Sequence, residues 1–119
     1  MKAYTDIEQS KKLTKILPLE SADMSYDWFI IGKEYSSIPQ CRKFIDDELP
    51  CWSLTALLDY IKDKCGYFEL VYLSSTIDGR VNRLENVYRF STDVYDVYKK
   101  EAIDACYEMV LKLHEQKLL

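Results

Sequence analysis

Apolar residues recur at helical spacing in two long segments of the chain, 50–64 and 101–119. In the second, Ala102, Cys106, Met109, Val110 and Leu113 fall at i, i+4, i+7, i+8 and i+11, which is one face of a helix. Leu54, Leu57, Leu58, Ile61 and Cys65 draw a similar stripe in and just beyond the first. Such stripes build cores, so both helices are expected to be packing elements. A third helix is predicted near the start. Thr5-Asp6-Ile7-Glu8 has capping-box spacing, in which the Thr5 hydroxyl accepts from the Glu8 amide and Glu8 reaches back to the Thr5 amide. Ile7, Leu13, Ile16 and Leu17 supply its inward side, and Pro18 disfavours helix at the residue before it, which leaves about three turns.

Between the helices the period shortens to two. Met24, Tyr26, Trp28 and Ile30 alternate with Ser25, Asp27, Phe29 and Ile31, predicting a strand over 24–31 whose far end is apolar on both sides and therefore covered on both. Residues 33–40 suit a loop or short edge strand, since Pro39 fits poorly in a central one. Pro50 suits the first position of the second helix, with Asp46, Asp47 and Glu48 complementing its positive end. Gly66 stands where a C-terminal cap belongs. Strands follow at 67–75 and 81–90, joined by the hairpin signal Asp78-Gly79, and 94–98 reads as an aromatic connection to the last helix.

The expected fold is therefore α+β: a small, mainly antiparallel sheet of at least three strands with helices packed on one face, in the order α-β-α-β-β-α. One domain covering 1–119 is the economical reading of a chain this short. With 48% hydrophobic and 30% charged residues it lies outside the disordered regime. A net charge of −4 argues against a dedicated nucleic-acid binder, because phosphate contact rewards a concentrated positive field. No run approaches the ~20 apolar residues of a membrane span and no signal-peptide stretch opens the chain, so the expectation is a cytoplasmic protein with no membrane association. Cys41, Cys51, Cys65 and Cys106 are then expected to be free thiols, mostly small core residues.

Catalytic constellations are hard to assemble from these residues. A nucleophilic cysteine needs a base, and the one histidine, His114, lies eight residues from Cys106 on the same helix, about 12 Å along the axis at 1.5 Å per residue. Zinc sites arrive as closely spaced ligand pairs, which these cysteines do not form, so no metal and no cofactor is expected. Carboxylates cluster at Asp46–Glu48 and along Glu101, Asp104 and Glu108, where they read as a dipole complement and a solvated helix face. The three glycines form no phosphate loop or nucleophile elbow. The balance leans away from an enzyme, with a cysteine or carboxylate in a cleft as the alternative.

Aromatic content points to interaction instead. Ten tyrosines, two tryptophans and four phenylalanines are many for so small a domain; most of these rings can fill a core whose sheet is short of valine and isoleucine, but tyrosine and tryptophan are also favoured at binding hot spots. Tyr95 and Tyr98, in the connection, are the first candidates for an exposed docking surface. Arg80, Arg83 and Arg89 interleave with Tyr88 and Phe90 along the hairpin, an arrangement able to hold an acidic protein or, as a weaker alternative, nucleic acid. Trp52 reads either as a core residue or as a docking ring. The partner expected is a protein not identified by sequence, or a second copy of the chain.

The blocks MKAYTDIEQSKKL, LPLESADM, PCWSLTALLDYI and DACYEMVLKLHEQKLL resemble recurring segments of a group of short uncharacterised bacterial proteins found in mobile-element or prophage-like contexts. The resemblance covers about half the chain, implies a shared architecture, and carries over no catalytic residue. Residues 31–49 depart from the pattern, which leaves partner specificity free to differ there.

Overall fold

The computed structural model describes residues 2–73 and 87–119. The fold is α+β, with helices α1 (Ile7–Leu13), α2 (Leu54–Cys65) and α3 (Ala102–Glu115) and seven short strands among the described residues. The expected succession of helices and strands is kept in outline, with more strands than foreseen. The strand foreseen over 24–31 divides into β1 (Met24–Tyr26) and β2 (Trp28–Phe29), the segment read as a loop or short edge strand contains β3 (Glu34–Tyr35), and β4 (Leu49–Cys51) lies where no strand was expected. After α2 come β5 (Glu69–Leu73), β6 (Val87–Ser91) and β7 (Asp96–Lys99). All strand pairings among the described residues are antiparallel. The chain forms two compact units, Ala3–Tyr60 and Ile61–Leu119, the second also taking in Lys2.

In the first unit, α1 begins one residue later than Thr5-x-x-Glu8 suggests. Asp6 is the N-cap: its carboxylate accepts from the Gln9 amide at 2.7 Å, and the Gln9 side chain accepts from the Asp6 amide at 3.0 Å. Two capping boxes overlap in the sequence, and tertiary structure chooses between them. The Thr5 hydroxyl is fully buried, accepting from the Trp52 amide at 3.1 Å and lying 2.8 Å from the Ser10 hydroxyl. The Tyr26 hydroxyl donates to the Thr5 carbonyl at 2.8 Å. Around this network Met24, Tyr26, Leu49 and Cys51 form a core cluster, with Tyr4, Ile7 and Tyr35 packed against it.

Pro50 does not open α2. It lies in β4 opposite Ser25 of β1. Ser25 directs its amide and carbonyl to Gln40 on the other side, at 3.0 and 2.7 Å, so its pairing with β4 is the non-hydrogen-bonded kind and the missing proline N–H costs nothing. The helix starts after Ser53, whose hydroxyl accepts from the Ala56 amide at 3.1 Å. Asp46–Glu48 therefore belong to a loop and not to a helix dipole. At its other end α2 stops as predicted at Gly66, whose φ of +75° is the left-handed conformation glycine adopts most readily.

In the second unit, β5-β6-β7 form a three-stranded antiparallel sheet with α3 packed on β6 and β7. Phe90 and Val97, opposite each other in register, are buried, and Phe68 stacks on Phe90 with ring centroids 5.4 Å apart. The predicted α3 stripe is buried throughout, and Ile103, Ala105 and Tyr107 widen it. Its C-terminus closes in a Schellman motif. The Lys117 amide donates to the His114 carbonyl at 2.9 Å and the Leu118 amide to the Leu113 carbonyl at 2.8 Å, with Lys117 left-handed at φ +59°. The 94–98 segment is not a connection: a tight turn at 92–95, closed by the Thr92 amide on the Tyr95 carbonyl at 2.9 Å, leads straight into β7. The Asp78-Gly79 hairpin turn lies outside the described residues.

Candidate interaction site

The strand predicted over 24–31 breaks at Asp27. β1 pairs with β4, whereas β2 turns away to pair with β3, Trp28 opposite Tyr35 and Phe29 opposite Glu34. Trp28 is anchored edge-on against Tyr35, ring centroids 4.9 Å apart. Beyond it the chain is apolar and uncovered. Phe29, Ile30 and Ile31 are 51%, 76% and 103% exposed, the reverse of the two-sided burial expected for this end. Lys33 turns the hairpin with a left-handed φ of +50°.

Beside this tip lies an open cavity of about 320 Å³, walled on one side by residues 27–30 and on the other by 45–48. The second wall is a turn in which the Glu48 amide donates to the Ile45 carbonyl at 3.0 Å and Asp46 takes a left-handed φ of +46°, a conformation aspartate tolerates better than most residues. One guanidinium fastens the turn to the start of the hairpin. Arg42 donates through both terminal nitrogens to the Glu48 carboxylate, and its Nη2 lies 3.5 Å from the Asp27 carboxylate. The Gln40 amide also donates to Asp27, and its carbonyl accepts from Arg42 Nε at 2.8 Å.

The two carboxylates are driven apart electrostatically. The hydrogen bond from Arg42 holds Glu48 down to about 2, while the shared hydrogen bond with Glu48 pushes Asp27 above its usual range. Asp46 and Asp47 on the same wall have no ion-pair partner among the described residues. The site thus combines exposed aliphatic and aromatic surface with uncompensated negative charge. No group of three or more metal-ligating side chains occurs among the described residues.

The other candidates are placed as follows. Of the two readings of Trp52, the core residue stands and the docking ring does not: it is fully buried, its indole N–H donating to the Ser21 hydroxyl at 2.9 Å. Tyr95 is half-buried beneath the Lys112 ammonium, 5.7 Å from the ring centroid. Tyr98 is 39% exposed and pairs in register with Arg89. Arg89 forms a 3.0 Å salt bridge to Glu69, Tyr88 tilts against Tyr72, and Phe90 is fully buried, so the ring foreseen for stacking beside Arg89 is not accessible. Arg80 and Arg83 lie outside the described residues.

Among the described residues no hydrogen bond joins a cysteine to His114, the base considered for a nucleophilic thiol. Cys51 and Cys106 are fully buried, burial pushing Cys106 up to about 12 and raising Cys51. Cys65 lines a cavity of about 170 Å³ with Asp93, Leu113 and Leu118, and both burial and the Asp93 charge raise it, opposite to what a nucleophile requires. His114 is exposed on α3. No helix among the described residues is long and apolar enough to cross a membrane. Compared with protein-family models, curated proteins and solved structures, the chain matches none.

The signal for the tip was visible in the sequence: Phe29-Ile30-Ile31 is a consecutive apolar run, which a half-buried strand does not need. The Asp27–Arg42–Glu48 fastening had no such signal, because Asp27 and Arg42 are 15 residues apart.

Proposed function

We propose that this is a small non-catalytic interaction or accessory protein that docks a protein partner on the tip of the β2–β3 hairpin. One observation carries the reading: three consecutive large apolar side chains, Phe29, Ile30 and Ile31, are exposed together. Scattered surface apolar residues are ordinary, whereas a contiguous group beside a cavity marks a surface that another molecule covers. Burying such side chains yields roughly 1.5–3 kcal/mol each, a favourable term that offsets part of an association cost of about 4–15 kcal/mol, with contacts in the adjoining cavity supplying the remainder. A cytoplasmic setting and carriage on a mobile element belong to the same proposal and rest on the sequence reading alone.

The test is affinity isolation of the tagged full chain from its native cell, with nuclease, beside the Phe29→Ser/Ile30→Ser/Ile31→Ser variant. A stoichiometric protein retained by the parent and lost by the variant is the expected result. Equal recovery by both, or none by either, removes the tip from consideration. Tyr95→Ala/Tyr98→Ala run in parallel tests the sheet-edge aromatics as the competing surface.

A further inference from the structure

Charge at the cavity specifies what the partner brings. Of the four carboxylates on its walls, Asp27 and Glu48 are held by Arg42, while Asp46 and Asp47 are exposed and without an ion pair among the described residues. The nearby Lys43 is engaged elsewhere, donating to the Glu20 carbonyl at 2.7 Å. The remaining lining is Trp28, Phe29, Ile30 and Ile45. An anionic ligand meets two unopposed carboxylates here, which disfavours nucleic acid and acidic lipid headgroups. A bare metal ion meets no three-ligand cluster among the described residues and gains nothing from the apolar walls. The chemistry that satisfies both parts of the surface is a cation carried on an apolar scaffold.

We propose that the occupant is a partner protein segment in which basic and aliphatic side chains alternate. Its cations meet Asp46 and Asp47, and its aliphatic groups cover Phe29 and Ile30. This inference rests on the interaction reading above and narrows it to one class of partner sequence. Phe29 and Ile30 lie on the hairpin wall and the unpaired Asp46 and Asp47 on the turn, so an extended segment with period-two alternation presents one kind of side chain to each pair.

Trp28 in the cavity wall supplies the readout, since Trp52 is fully buried. The full chain is titrated with a blocked peptide alternating leucine and arginine, and with its glutamine and glutamate counterparts, following tryptophan fluorescence, with Trp28→Phe identifying the responding ring. The arginine peptide is expected to bind most tightly and the glutamate peptide not measurably. Asp46→Asn/Asp47→Asn should weaken the arginine peptide about fivefold, as two exposed ion pairs allow, and leave the glutamine peptide unchanged. Equal affinity of the arginine and glutamine peptides, indifference to the asparagine variant, or binding of none of the three overturns the proposal. Those results leave the interaction reading standing if the triple serine variant still loses its protein partner. Concentration-dependent self-association of the parent, abolished by the serine variant, assigns the surface to a second copy and overturns the proposal as well.

Discussion

Thr5 and Trp52 are joined twice: the Thr5 amide donates to the Trp52 carbonyl at 2.9 Å, and the Thr5 hydroxyl accepts from the Trp52 amide at 3.1 Å. With Ser10 and Tyr26 also bonded to Thr5, one buried residue satisfies polar groups from α1, β1 and the segment following β4. Thr5→Val keeps the shape and deletes the acceptor, stranding the Trp52 amide. A loss of about 2 kcal/mol is expected, read as a lower urea midpoint at unchanged slope, with Thr5→Ser much milder. Equal effects of valine and serine would show that the hydroxyl is not the stabilising group.

Acid should loosen the cavity wall. Glu48 sits at about 2 in the folded protein against an ordinary 4.5, so the stability it contributes is complete above about 4.5 and is lost as pH falls towards 2. Asp27 is shifted the other way and partly offsets this over its own titration. Glu48→Gln is expected to flatten the acid limb of the stability profile, measured by thermal unfolding across this range. An unchanged limb would place the Arg42 contact outside the stability of the fold.

Thiol reactivity should follow exposure. Cys41 is exposed and is expected to react first with a disulfide reagent near neutral pH, Cys65 more slowly, and Cys51 and Cys106 only on unfolding. A Cys65 that outpaced Cys41 would revive a thiol-based activity. Because Cys106 is raised to about 12 from 9, and the buried Cys51 and Tyr26 are raised too, stability should be complete below about 9 and fall as pH rises from there towards 12. Cys106→Ala should soften that alkaline loss.

The parts of the fold legible in the sequence are those governed by neighbours along the chain. The α3 stripe from Ala102 to Leu113 and the Gly66 stop need only local spacing and one backbone preference, and both stand in the structure. Thr5, Pro50 and Asp27 each obey a local rule that a distant partner overrides. Trp52 claims the Thr5 hydroxyl, β1 draws Pro50 into a strand, and Arg42 holds Asp27 where the predicted strand divides. The site shows the same split. The apolar run at Phe29–Ile31 is written in consecutive letters, but its exposure and the acidic wall beside it depend on how residues 27 and 45–48 are brought together, which no local pattern encodes.

Helix α1 has seven residues, too few to persist alone in water, and the residue immediately before its cap finds its hydrogen-bond partner 47 positions downstream. During synthesis the opening segment must therefore wait, without fixed structure, until β4 and Trp52 have emerged. A fragment ending before residue 49 should lack this helix altogether, so its appearance marks the moment the first unit closes.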